Sequence, residues 1–184
     1  MNELPDWIVA ARAHWRWRGG DRPSFAVEPV AGQESVWDYP RPPAIVPDRR
    51  EVVIVWGSIE IARTSDAVRV LETGHPPSFY LPMKDVARSH LESAPGGSTC
   101  EWKGPARYWT LRDGDTRLPA VAWSYPRPLA GAEMLADRIA FYPTALRCFV
   151  GGARVVPQPG GFYGGWITPE LAGPFKGAPG SEGW

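Results

Sequence analysis

The chain of 184 residues holds only two cysteines, Cys100 and Cys148, too few for a disulfide framework or a four-thiolate zinc site. A reduced, cytosolic setting is expected. Net charge is missing too: twenty basic and twenty acidic side chains cancel, so no overall field gathers phosphate backbones or anionic lipid. Nucleic acid is therefore not an expected partner. No stretch approaches about 18 consecutive apolar residues, and the opening MNELPDWIVAARAHWRWRGG carries charges inside its apolar part and no small-residue cleavage site. Neither export nor membrane insertion is predicted. Three scattered histidines and two cysteines offer no close ligand pairs, so neither a bound metal nor a cofactor is expected. Lysine is scarce as well, and Lys84, Lys103 and Lys176 leave seventeen of the twenty bases as arginine. That planar fork suits a local carboxylate or phosphate site, not a basic face.

What the chain has in excess is large rings. Ten Trp, six Tyr and six Phe make 22, more than packing alone requires, and several stand beside polar residues, as in Trp102-Lys103 and Trp123-Ser124-Tyr125. Some of them are expected to line a surface cavity. The length suits one compact domain, because single cores commonly reach about 100 to 200 residues.

Three regions follow from the texture of the sequence: a helix and arm over 1–35, a β core over 36–156, and a Gly/Pro/aromatic arm over 157–184. Trp7, Ile8, Ala11 and Trp15 recur at helical spacing behind Pro5, and Gly19-Gly20 stops the run. Residues 20 to 50 carry repeated proline and little periodicity, as an extended arm does. Beyond 51 the chain reads as short strands rich in β-branched and aromatic residues. Hairpins are expected around Gly57-Ser58, Lys103-Gly104-Pro105 and Gly151-Gly152, with further strands at 67–72, 78–82, 119–125 and 138–142. Short helices are expected near 83–91 and 129–136. The last 28 residues contain thirteen Gly or Pro yet keep Phe162, Tyr163, Trp166, Phe175 and Trp184, whereas disordered tails are poor in aromatics. The arm should therefore lay its rings on the core without regular structure. The hexapeptide Trp37-Asp38-Tyr39-Pro40-Arg41-Pro42 recurs as Trp123-Ser124-Tyr125-Pro126-Arg127-Pro128, through an old duplication with pseudo-twofold symmetry or through coincidence.

Four strings in order, Trp37-Asp38-Tyr39-Pro40-Arg41-Pro42-Pro43, Leu71-Glu72-Thr73-Gly74-His75-Pro76-Pro77-Ser78-Phe79-Tyr80-Leu81-Pro82, Cys100-Glu101-Trp102-Lys103-Gly104 and Ala122-Trp123-Ser124-Tyr125, resemble the bacterial family known as domain of unknown function 427. The likeness covers roughly residues 36 to 150, and the string from Pro157 to Trp166 is similar to an extension found in single-domain members. The resemblance implies a mostly-β fold, β-tent-like or a distorted barrel, built of short antiparallel strands and hairpins with short helical inserts and extended terminal arms. The zinc knuckles of β-tent relatives do not carry over, since paired Cys-x-x-Cys motifs are absent. A nucleotidyltransferase label is attached to the family, but no polymerase-type carboxylate pair or phosphate-cradling glycine motif stands here to support it.

Glu72, His75 and Tyr80 could supply a base, a proton shuttle and a hydroxyl at neighbouring strand ends. The plainer reading pairs Glu72 with Arg69 or Arg107 and leaves His75 opening a Pro-Pro turn. Lys103 could meet a ligand anion, act as a nucleophile or base, or merely be solvated. Cys100 and Trp102 should face one side of a strand, where Cys100 reads as a small buried hydrophobe before it reads as a nucleophile. Trp102, Tyr108, Trp123, Tyr125 and Tyr142 combine flat faces with hydrogen-bonding tips, as a pocket for a planar or cationic molecule does. The expected ligand-binding set is thus Glu72, Tyr80, Trp102, Lys103, Tyr108, Trp123, Tyr125 and Tyr142, converging on one concave surface. A module that binds a small molecule ranks ahead of an enzyme of acid–base or group-transfer type, because no nucleophile–base constellation is recognisable.

Overall fold

The structure, a computed structural model, describes residues 5–184. One helix opens it, α1 (Asp6–His14), with Pro5 at its N-terminal cap, Asp6 in the first turn and Arg12 and His14 in the last. Those charges complement the helix dipole. Its apolar stripe is narrower than the spacing predicts: Ile8 is buried but Trp7 is about half exposed. The helix is held instead by polar contacts at its end, where Arg12 Nε donates to the Glu101 carbonyl at 2.9 Å and Trp15 Nε1 to Glu101 Oε1 at 2.8 Å.

Sixteen short strands follow: β1 (Glu34–Ser35), β2 (Ala44–Asp48), β3 (Val52–Trp56), β4 (Ile59–Thr64), β5 (Ala67–Leu71), β6 (Ser78–Pro82), β7 (Leu91–Ser93), β8 (Ser98–Cys100), β9 (Gly104–Asp113), β10 (Thr116–Ser124), β11 (Arg138–Phe141), β12 (Arg147–Val150), β13 (Ala153–Arg154), β14 (Val156–Pro157), β15 (Trp166–Ile167) and β16 (Leu171–Ala172). The main sheet runs β2-β5-β6-β11-β10-β9-β7 with β8 added to β9, and a second sheet runs β13-β12-β3-β4. All pairs within these two sheets are antiparallel. The fold is mostly β, as the sequence predicts, but the sheets stay open and do not close into a barrel.

Alternation along the strands divides the main sheet into two faces. Phe79 and Leu81 of β6 and Ile139 and Phe141 of β11 point to the principal core with Val52, Ile54, Ile61, Cys148 and Val150 of the second sheet. Tyr80 and Ala140 point the other way, to a cluster that holds Trp123 and Tyr125. That opposite face carries the cavity described below.

The hairpins at Gly57-Ser58 and Gly151-Gly152 form where expected. The third is shifted: Cys100 pairs with Gly104, so residues 101–103 make the turn and Pro105 lies inside β9. In place of the helices expected near 83–91 and 129–136 there are single 3-10 turns, Met83–Asp85, Arg88–His90 and Glu133–Leu135. The two hexapeptide copies adopt different structures, since Trp37 sits in the 3-10 turn Val36–Asp38 and Trp123 in β10. They give no local symmetry.

The C-terminal arm packs on the core and also forms short strands, β15 against β14 and β16 parallel to β1. Trp166 is fully buried, stacks on Phe79 with ring centroids 5.1 Å apart, and donates its indole N–H to the Phe141 carbonyl at 2.9 Å. Phe175 and Trp184 join Trp37, Tyr39 and Leu171 in a separate aromatic cluster between the two arms. Phe162 is the exception, largely exposed.

Candidate functional site

A cavity of about 760 Å³ opens on the second face of the main sheet. Glu72 follows β5, Tyr80 lies in β6, Lys103 in the turn before β9, Tyr108 in β9, Trp123 in β10, Tyr125 just past β10 and Tyr142 just past β11. All seven line the cavity, together with His75 and Cys100. Sheet register explains the convergence: Trp123 stands directly across from Tyr108, and β6, β11, β10 and β9 are consecutive neighbours. The rings pack without filling the space, with Trp123 and Tyr142 centroids 4.5 Å apart, Tyr80 and Trp123 edge-to-face at 6.0 Å, and Tyr80 and Tyr125 at 6.3 Å.

Trp102 does not line the cavity. The strand ends at Cys100, so the two-residue alternation that would bring Trp102 to the same side is lost in the turn. Its ring is buried beneath the Arg12 guanidinium, 4.8 Å from the centroid, and its indole N–H has no hydrogen-bond partner among the described residues. Cys100 is partly buried, packs against the cluster that holds Trp123 and Tyr125 and also lines the cavity, with Sγ 3.6 Å from Glu101 Oε2, so the expected hydrophobe is only partly enclosed.

Part of the wall comes from the arms, and the sequence reading does not place them there. Trp15, Gln158, Phe162 and Tyr163 line the cavity as well. Gly164 runs so close to Trp123 that a Cβ on it would lie 2.1 Å from the indole. The available signal is the run of rings set among glycines from 160 to 166.

Charge in the cavity is uneven. Glu72 Oε1 pairs with Arg41 at 3.2 Å, and Glu72 Oε2 lies 3.8 Å from Lys103 Nζ. Arg41, rather than Arg69 or Arg107, is the structural partner of Glu72; Arg69 pairs with Glu34 and Asp48. Arg41 is buried with each of its three nitrogens engaged, donating also to the Trp17 and Thr73 carbonyls at 2.9 Å, with its guanidinium 4.0 Å from the centroid of Trp15. Lys103 is different, because among the described residues its ammonium has no partner within hydrogen-bond distance. Two cations therefore share one carboxylate, and the one facing the cavity is underused.

Protonation states follow from the surroundings. Burial works against the Lys103 ammonium, but its surroundings, in which the Glu72 carboxylate is the charged neighbour at neutral pH, hold its pKa above the ordinary value, so it is a cation and not a free amine. Burial likewise opposes the Glu72 carboxylate, yet Lys103, His75 and Arg41 keep its pKa below the ordinary value. Burial pushes Tyr80 up to about 12 and raises Tyr125, so both remain neutral hydroxyls. Tyr80 Oη accepts from Trp123 Nε1 at 2.9 Å, which leaves the Tyr80 proton without an acceptor among the described residues.

The family described as Domain of unknown function (DUF427) matches residues 44–152, more than half of the chain. The chain belongs to that family. A search of the curated proteins finds no match. The DUF427 region supplies Glu72, Tyr80, Lys103, Tyr108, Trp123, Tyr125 and Tyr142, whereas Arg41, Trp15, Gln158, Phe162 and Tyr163 lie outside it. Among the described residues no group of three or more His, Cys, Asp or Glu is placed to hold a metal ion, and no helix is long and apolar enough to cross a membrane.

Proposed function

We propose that the cavity binds a small, flat organic anion, with Lys103 as its anchor. One observation carries the reading: the Lys103 ammonium lines an aromatic-walled space, and among the described residues its one carboxylate partner, Glu72, stands 3.8 Å away. The Lys103 side chain is 14 % exposed, and a partly desolvated cation of this kind gains from a charge-assisted partner. The Tyr80 and Tyr125 hydroxyls add neutral donors near it, and Trp123 and Tyr142 offer faces for a planar body. The cavity volume falls within the range of about 300–1,000 Å³ usual for small-molecule sites. A second cation as ligand is disfavoured by Lys103 itself, which narrows the planar-or-cationic alternative to the planar anion. Acid–base or group-transfer turnover ranks below binding, since Lys103 is protonated and Glu72 is held ionised between two cations.

The test compares 2-naphthoate with its neutral amide by quenching of tryptophan fluorescence, in the natural protein and in Lys103→Ala. Naphthoate should bind better than the amide, and Lys103→Ala should lose about tenfold or more in naphthoate affinity, the worth of a charge-assisted hydrogen bond. Equal binding of the two probes, or an unchanged affinity in Lys103→Ala, overturns the reading. Native mass spectrometry of the freshly purified protein gives an independent check, with a copurified acidic compound as the expected result.

A further inference from the structure

His75 is not a solvated turn residue. It is 8 % exposed and lines the cavity. Its state is set by Gln158, itself buried, on the C-terminal arm. The Gly165 backbone N–H donates to Gln158 Oε1 at 3.1 Å, which assigns the amide's oxygen and nitrogen ends. Gln158 Nε2 then donates to the Lys176 carbonyl at 2.8 Å and to His75 Nδ1 at 3.0 Å. Since Nδ1 accepts, the imidazole proton sits on Nε2. A Cβ at position 165 would stand 2.3 Å from Gln158 Oε1, so only glycine lets the backbone N–H approach the amide this closely.

Nε2 makes no hydrogen bond among the described residues. Tyr163, whose ring meets the imidazole at 4.6 Å and 76°, offers it no more than a weak π acceptor. A histidine kept only for packing would have both nitrogens satisfied. Here one nitrogen is bound by a dedicated amide, and the other is left as a donor with no partner among the described residues on a ring that lines the cavity. Burial also drives the imidazole pKa down to about 4, so at neutral pH the ring offers a hydrogen bond and no charge.

We propose that His75 is a specificity-determining residue that donates its Nε2–H to a neutral acceptor on the ligand, so that the ligand is a flat anion bearing a second, uncharged acceptor such as a carbonyl, ether or ring nitrogen. A second anionic group is a poor fit, because the neutral imidazole brings no compensating charge and the Glu72 carboxylate acts on His75 at close range. The inference rests on the anion-binding reading for the other end of the ligand.

Two measurements on the natural protein test it. Histidine side-chain nitrogen NMR at pH 7 should show the Nε2–H tautomer for His75. An Nδ1–H tautomer, or an imidazolium, overturns the inference and leaves the anion-binding reading standing. The second measurement titrates 2-naphthoate against the isosteric quinoline carboxylates, in which a ring nitrogen replaces CH at successive positions. At least one isomer should bind about tenfold tighter than naphthoate, the value of one neutral hydrogen bond, and the gain should vanish in His75→Phe while naphthoate still binds. Equal affinity across the series, or a gain that survives in His75→Phe, overturns the inference alone. If none of the carboxylates binds, the anion-binding reading fails and this one falls with it. Should His75→Phe not fold, the tautomer and the isomer series in the natural protein decide the matter by themselves.

Discussion

The family region and the arms that flank it both spend tryptophan freely, but they use its N–H differently. In the β core, Trp123 Nε1 donates to Tyr80 Oη across the cavity wall, and Trp109, packed against the principal core, donates its Nε1–H to Ser124 Oγ on the neighbouring strand, each at 2.9 Å, so core indoles pair with side-chain hydroxyls inside the sheet. In the arms, Trp37 Nε1 donates to the Pro174 carbonyl at 3.1 Å and Trp166 Nε1 to the Phe141 carbonyl at 2.9 Å, tying segments of little regular structure to distant backbone. Core rings shape a site, and most arm rings fasten the chain that covers it. The contrast predicts that replacing an arm ring harms stability first, and replacing a core polar group harms binding first.

The largest effect should come from Trp166, which lies in the arm by sequence and in the principal core by packing. Trp166→Ala removes a fully buried indole, its stacking on Phe79 and a hydrogen bond, so a loss of about 3–5 kcal/mol is expected. At roughly 2–4 °C per kcal/mol for a chain of this size, the melting temperature should fall by on the order of 10 °C. A fall of only a degree or two would show that the arm is not fastened there, and the comparison would collapse.

Much of this contrast was legible in the sequence, and the misses have physical causes. The hairpin at Gly57-Ser58 and the strands around 67–71 and 78–82 show themselves because β-branched runs are bounded by turn residues. Strand β2 does not, since Pro42-Pro43 precede it and Pro47 interrupts it; it occupies the edge of the main sheet, where a missing N–H is tolerated. The long hairpin from β9 to β10 turns at Gly114-Asp115, and its second strand is read from the sequence only from 119 onward, because a register shift between Leu118 and Ala122 breaks the alternation at its start. In the site, Glu72, Lys103 and Trp123 could be named because motif and residue type coincide. Trp102 was misplaced because alternation was carried past the end of a strand. Gln158 and Tyr163 carry no local signal at all, since their place in the cavity depends on an arm that crosses the molecule.

The next effect depends on pH and sharpens the comparison by joining a core residue to an arm residue. The folded pKa of His75, about 4, lies below the ordinary 6.5, so between those values the unfolded chain binds a proton that the folded protein refuses. Stability therefore rises with pH across that window, by about 1.4 kcal/mol per unit where the difference is full. Glu72, whose folded pKa is also lowered, contributes stability that is present above the ordinary carboxylate value of 4.5 and lost as pH falls below it. Melting curves from pH 7 to 4.5 should thus slope in the natural protein and flatten in His75→Phe. Parallel curves for the two would show that His75 is not held neutral.

A smaller change in stability separates anchor from scaffold. Lys103→Ala leaves Glu72 its pairing with Arg41 and removes a cation whose burial cost its surroundings offset, so the stability should move by less than about 1 kcal/mol in either direction. Affinity for an aromatic carboxylate should nevertheless drop as set out above. A protein that fails to fold would instead make Lys103 part of the scaffold, and the division between fastening arm and binding core would have to be redrawn.

Phe162 should show the smallest stability effect and tests whether every arm ring is a fastener. It lines the cavity yet is 78 % exposed, with Tyr163 packed edge-on at 4.9 Å. Little apolar surface is lost on truncation, so Phe162→Ala should keep the stability within about 0.5 kcal/mol. If the ring's role is to cover an occupied cavity, the substitution should act on the bound state, raising the release rate of 2-naphthoate more than it lowers the rate of entry. Stopped-flow measurement of both rates checks this. A marked loss of stability would place Phe162 with Trp166 as a fastener, whereas unchanged rates with unchanged stability would remove it from the site and leave Tyr163 as the only ring of that loop with a part in it.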